Sequence, residues 1–203
     1  MKSIEFYINK IKYIEGIQNA DISFIPSISR RRLSNLDKIT VASLNFCFTN
    51  EIQNIIFASK KGEIERLLKI IEQYKTENET SPMLFTGSVH NFAVSSFLIN
   101  KQISIPYTAI DSGDETLSSG TYTAVMSKYK NNLLVYSDIE NEQYVSLCLN
   151  ISKEKKENSK KCKIKLEENE VISPNTTDFI KFLKGEANIL KTKNYRIESA
   201  NNV

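Results

Sequence analysis

The sequence predicts an α/β protein in which a mostly parallel sheet carries helices on both faces. Three observations lead there. The chain has 203 residues, 40% of them hydrophobic and 25% charged, the balance of a soluble globular domain with a real core. Two short runs, Ile55-Ile56-Phe57-Ala58 and Leu133-Leu134-Val135-Tyr136, are apolar throughout, as strands buried on both faces are. Segments of helical period alternate with strand-like segments through the first 138 residues, the order of a sheet built by crossovers.

Taken in order, Ile4, Phe6 and Ile8 alternate with polar residues, and the apolar set then slips to Ile11 and Tyr13. That slip predicts a long first strand with a bulge or bend near Asn9-Lys10. After Pro26, residues Arg30 to Phe48 read as a helix with Leu33, Leu36, Leu44 and Cys47 on one face. Gln53 to Ser59 is a strand. Gly62 to Tyr74 is the clearest helix, with Ile64, Leu67, Leu68, Ile71 and Tyr74 in one apolar stripe and Glu65 four residues before Lys69. Thr76 to Pro82 is a loop. Ser88 to Asn100 forms a helix with Phe92, Ser95, Ser96 and Ile99 on one side, and Ala93, Ser95 and Ser96 are small enough to admit another backbone. Ile103 to Ile110 is a strand whose ladder is limited by Pro106. Asp111 to Glu115 is a turn, Thr116 to Tyr129 a helix and Asn132 to Asp138 a strand.

The character then changes. Val145, Leu147, Leu149 and Ile151 alternate with polar residues, as do Cys162, Ile164 and Leu166, with the charged stretch 153–161 between them. This pattern predicts an antiparallel hairpin with one wet face. Thr176 or Thr177 would cap a short helix through Phe179, Phe182 and Leu183, stopped by Gly185. A single domain thus spans 1–203, with a core over 1–140, a hairpin and short helix over 141–195, and a frayed tail over 196–203.

No apolar run approaches the roughly 18–20 residues of a membrane span, and the N-terminus carries Glu5 where a signal peptide is apolar, so a cytoplasmic location is expected. The net charge of +3 is too small to imply a nucleic-acid partner. Cys47, Cys148 and Cys162 have no C-x-x-C spacing and read as reduced thiols. With one histidine, His90, multi-histidine metal sites are excluded, and neither a metal nor a cofactor is expected.

Three clusters could carry chemistry. His90, with Ser88 and Asn91 beside it, could be a general base. The alternative is a buried, hydrogen-bonded histidine that supports its helix. Asp111-Ser112-Gly113-Asp114-Glu115 sits at a strand-to-helix turn, where open α/β sheets bind ligands. It is not a G-x-S-x-G elbow, and Asp114 or Glu115 would serve the N–H groups at the helix start. Arg30, Arg31 and Arg32 form a docking patch for an acidic partner or a merely solvated face.

These same segments resemble a known family. Arg30-Arg31-Arg32-Leu33-Ser34-Asn35-Leu36, Phe57-Ala58-Ser59-Lys60-Lys61-Gly62-Glu63, Ser81-Pro82 with Phe85 and Ser88-Val89-His90-Asn91, and Leu134-Val135-Tyr136-Ser137-Asp138 occur in the order found in standalone β-ketoacyl synthase N-terminal-like proteins. These chain-length-factor-like proteins come from bacterial aryl-polyene-type biosynthetic clusters, and the resemblance covers roughly residues 20–140. The chain departs from them at Asn91-Phe92-Ala93-Val94-Ser95, where relatives carry more Ala and Gly.

The resemblance implies a thiolase-like half, a mostly parallel five-stranded sheet with helices on both faces. Condensing enzymes use a cysteine nucleophile at a helix start, where the dipole and a cation make the thiolate reactive. The corresponding turn here, Ser112-Gly113-Asp114, has no cysteine, and nothing resembles the second half with its histidines. Condensation by this chain alone is therefore not expected.

By the same resemblance, the chain would pair with a β-ketoacyl synthase subunit as a non-catalytic chain-length factor in fatty-acid-like or aryl polyene synthesis. Ile103 to Ile110 would be the interface strand, and Phe92, Ser95, Ser96, Ile105 and Tyr107 would lie near the interface or the acyl tunnel. Arg30 to Arg32 could dock acyl carrier protein. Two alternatives stand beside this reading: a small acyl-thioester hydrolase or transferase using Ser88 or Ser112 with His90, and a homodimeric carrier-binding scaffold.

Overall fold

The computed structural model describes residues 3–169 and 173–200. In chain order it contains β1 (Ile4–Glu15), α1 (Ser27–Arg30), α2 (Asn35–Cys47), β2 (Asn54–Ala58), α3 (Ile64–Glu77), α4 (Pro82–Gly87), α5 (Phe92–Lys101) and β3 (Tyr107–Ile110). There follow α6 (Thr116–Met126), β4 (Asn131–Glu140), β5 (Gln143–Ser152), β6 (Lys160–Leu166), α7 (Thr176–Lys184), β7 (Ile189–Lys191) and β8 (Tyr195–Ser199).

All eight strands join one mixed sheet of order β3-β2-β4-β5-β1-β6-β8-β7. This corrects the expected five-stranded, mostly parallel sheet. β3, β2 and β4 are parallel neighbours, but every other pairing is antiparallel. Because β5 runs against both β4 and β1, the strands β1 to β4 share a direction that adjacency alone does not reveal. The bulge expected in β1 falls between Ile8 and Lys10, where the pairing with β5 shifts register.

The C-terminal hairpin is a second correction. β5 and β6 do not pair with each other, because β1 lies between them and bonds to both. β5 instead folds back on β4 through Asn141 and Glu142, both at positive φ (47° and 64°), the requirement of a tight two-residue hairpin turn. With neighbours on both edges and helices over both faces, β5 is buried along most of its length and has no wet face. The tail does not fray over 196–199 either. Tyr195 and Ile197 are buried as β8 pairs with β6 and β7; residues 201–203 of the expected tail lie outside the described residues.

Local signals explain where helices begin. Ser34 accepts from the Asp37 N–H at 2.9 Å and Asp37 accepts from the Ser34 N–H at 2.9 Å, a capping box that starts α2 at Asn35. The single helix expected from Arg30 is therefore split, with α1 closing at Arg30 and the chain turning at Arg31-Arg32. Asn175, not Thr176 or Thr177, caps α7 in a second capping box with Asp178, and Gly185 at φ +82° ends it. Of the segment expected as a loop, Thr76 and Glu77 still belong to α3, and Pro82 is the first residue of the short helix α4. Ser88 to Asn91 form the turn before α5. β3 is shorter than expected because it begins only after Pro106.

Two layers of helix cover the sheet. α2 and α5 pack on the face bearing Ile55, Phe57, Leu133, Val135 and Cys148. The opposite face, bearing Ile56, Leu134, Leu147 and Leu149, is covered by α6 and α7 together with Leu190, Tyr195 and Ile197 from β7 and β8. Phe179 and Phe182 of α7 are each 1% exposed, and burying side chains of this size stabilises by about 1.5–3 kcal/mol apiece. The stripe of α3 does the reverse: Leu67, Leu68, Ile71 and Tyr74 are 46%, 58%, 42% and 58% exposed.

Candidate functional site

The turn after β3 opens onto a cavity of about 550 Å³ at the carboxyl ends of β2 and β4. Asp138, at the end of β4, accepts from the backbone N–H groups of Lys60 (2.6 Å) and Lys61 (3.1 Å), which fixes the loop leaving β2. The hydroxyls of Tyr136 (3.0 Å) and Thr176 (2.5 Å) both donate to Glu140 Oε1. Lys60 pairs with Asp114 across the mouth; the ion pair lowers the Asp114 carboxyl and raises the Lys60 ammonium from their ordinary values. None of the lining residues is a cysteine or a histidine.

Within the turn, Asp111 Oδ1 accepts from the Gly113 N–H at 3.0 Å, and the exposed Ser112 donates its N–H to Thr116 Oγ1 at 2.9 Å. The N–H groups here are thus served by Asp111 and Thr116, not by the expected Asp114 or Glu115. Cys47, Cys148 and Cys162 are all free and buried. Burial pushes the Cys148 thiol well up and the Cys162 thiol to about 12, the opposite of what a nucleophilic thiolate needs.

His90 is half-buried with its ring 5.3 Å from that of Phe57, and its Nε2 has no hydrogen-bond partner. It supports its turn by packing, not by the expected hydrogen bond. Gly62 at φ +55° makes room: a Cβ there would stand 3.0 Å from His90 Nδ1. The Ser88 hydroxyl donates to the Phe85 carbonyl at 2.8 Å. Neither Ser88 nor Ser112 bonds to His90, so no serine–histidine pair is assembled among the described residues.

The structure does bring Asn91, Phe92 and Tyr107 together. The Asn91 amide donates to the Tyr107 hydroxyl at 3.3 Å and ties the start of α5 to the start of β3. Phe92, Ile105 and Tyr107 are half-buried against the core beneath α5. Ser95 and Ser96 are half-buried too; the Ser95 hydroxyl donates to the Phe92 carbonyl, and the Ser96 backbone carbonyl accepts from the Asn100 side-chain amide. Among the described residues, β3 pairs only with β2, which leaves its outer edge open and Thr108 and Ala109 exposed.

The crossover from β2 to this edge strand carries an uncovered apolar surface that residue periodicity alone did not distinguish from core. Met83, Phe85 and Val89 are exposed beside the α3 stripe. The one buried residue of α3 is Arg66. Its guanidinium reaches Asp37 Oδ2 at 2.8 Å and Glu63 Oε2 at 3.4 Å, and donates to the carbonyls of Arg32 and Gly87 at 2.5 Å each. It also lies 5.0 Å from the Phe92 ring centroid. Ser34 closes the cluster by donating to Glu63 Oε1 at 2.7 Å. Sequence reasoning missed this cluster because Asp37 and Arg66 meet only in three dimensions; the spacing of Glu63 and Arg66 was its single local trace. Of the basic triplet, Arg30 is half-buried while Arg31 and Arg32 are exposed.

Among the described residues, no helix is long and apolar enough to cross a membrane, and no group of three or more His, Cys, Asp or Glu side chains is placed to hold a metal ion. No curated protein matches the chain. Among solved structures, a chain of the ketosynthase (ApeO) in complex with its chain length factor (ApeC) from Xenorhabdus doucetiae is similar, with a TM-score of 0.75 at 14% identity over 96% of this chain and 99% of that one. A chain of the ishigamide ketosynthase/chain length factor is similar with a TM-score of 0.57 at 9% identity over 70% of this chain and 51% of that one. At these identities the likeness is one of fold, the thiolase-like α/β architecture. The family model for the β-ketoacyl synthase N-terminal domain matches residues 9–148, well over half of the sequence, and the chain therefore belongs to that family.

Proposed function

We propose that the protein is a non-catalytic, chain-length-factor-like subunit that pairs with a β-ketoacyl synthase in aryl-polyene or fatty-acid-like synthesis. The observation that carries this reading is the uncovered apolar stripe of α3 in the crossover leading to the open edge of β3. A monomer gains nothing from four large exposed side chains on one helix, whereas a partner that covers them gains their burial. The nearly complete two-way coverage with a chain of a ketosynthase and chain length factor complex supports the same role. The turn Ser112-Gly113-Asp114 lacks a cysteine and the three thiols of the chain are buried, so in this reading the condensing chemistry falls to the partner.

In this reading β3 supplies the interface strand, and Phe92, Ile105 and Tyr107 stand behind it where their size limits the acyl chain. Ser95 and Ser96 flank the same wall. Arg31 and Arg32, exposed beside the half-buried Arg30, are the docking point for an acidic acyl carrier protein. Co-expression of the tagged chain with the ketosynthase encoded nearest its gene, followed by size exclusion with mass determination, tests the pairing. A stable one-to-one complex is expected. A homodimer or monomer that ignores the ketosynthase would overturn the proposal.

A further inference from the structure

The cluster under α3 holds two buried carboxylates against a single guanidinium. Asp37 is 1% exposed, and its Oδ2 is fully used by Arg66 and the Ser34 N–H. Its Oδ1 is buried with no donor at all. An orphaned carboxylate oxygen of this kind costs more than an ordinary hydrogen bond returns. The second carboxyl held by the same guanidinium is that of Glu63, which accepts from Ser34 at 2.7 Å and lies 3.4 Å from Arg66, where Asp37 lies at 2.8 Å. We propose that Glu63 and Asp37 share one bound proton, and that this proton is what latches α3 to the start of α2.

With the proton in place the cluster is balanced, one negative charge against Arg66. Without it, two like charges face one cation in a buried site. Burial, followed by the Asp37 charge, raises Glu63 to about 7, in keeping with that arrangement. The remaining groups around Glu63 are Ser34 from the start of α2, Arg66 from α3 itself, Tyr144 from β5, whose hydroxyl bonds to Glu65, and His90, whose ring stands against Gly62. None of them is a second cation at the two carboxyls.

The consequence concerns the same surface as the pairing proposed above and rests on that reading only there. Loss of the proton loosens the helix that carries Leu67, Leu68, Ile71 and Tyr74, so partner affinity falls as pH rises through neutrality. The test uses the chain alone and is independent of any partner. Carbon-13 titration of the glutamate carboxyls in the native protein, assigned with Glu63→Gln, should find Glu63 titrating near neutrality. Denaturant unfolding should then show the folding equilibrium constant of the native chain falling about a hundredfold more than that of Glu63→Gln between about pH 5 and about pH 8. A Glu63 carboxyl that titrates in the ordinary range of about 4.3, or parallel pH profiles for the two proteins, would overturn the proposal. Should Glu63→Gln fail to fold, the native titration still decides it through the single anomalous glutamate signal expected.

Discussion

Helices α3 and α7 are nearly equal in amphipathic character and opposite in use. α7 turns its apolar stripe inward, with Phe179 and Phe182 each 1% exposed against the sheet. α3 turns its stripe outward and is held from below by Arg66, the only buried residue it has. One helix is anchored by the hydrophobic effect and the other by charge and hydrogen bonds. Polar anchoring leaves a whole apolar face available, which is what a subunit needs if it is to bind a partner without losing its own fold.

Substitutions that break this contrast should rank in a definite order. Phe182→Ala empties a fully buried site and should cost about 3–5 kcal/mol in urea unfolding. Arg66→Met strands Asp37 and Glu63 without their cation and should cost about 3 kcal/mol, with α3 loosening first in amide exchange. Gly87→Ala would drive a Cβ into the Arg66 guanidinium at Nη1, forcing it to move, for roughly 1–3 kcal/mol. Leu68→Ser should change stability by less than about 0.5 kcal/mol. That same change should nevertheless weaken ketosynthase binding in a pull-down. A Leu68→Ser variant as unstable as Phe182→Ala would erase the distinction between the two helices.

Much of this was legible in the residues. The bulge in β1, the two all-apolar strands, the helices at α3 and α6 and the stop at Gly185 follow from local period and turn chemistry. The position of β1 between β5 and β6 was not, since pairing across more than a hundred residues leaves no local mark. The direction of the α3 stripe was equally hidden: period identifies a stripe and is silent about what covers it. At the candidate site, the turn 111–115 could be placed from its composition, whereas the Asp37–Glu63–Arg66 cluster depends on α2 and α3 meeting. That the turn 111–115 holds no cysteine was visible because cysteine position is a fact of sequence.

The most direct measurement is hydrogen–deuterium exchange on the chain alone and in its one-to-one mixture with the ketosynthase. Partner-dependent protection is predicted in residues 64–77 and 107–110, the α3 stripe and the β3 edge, with α7 unchanged because its apolar face is already covered. Protection confined to other surfaces, with α3 and β3 exchanging as fast in the mixture as in the free chain, would show that the outward stripe is not the partner's seat.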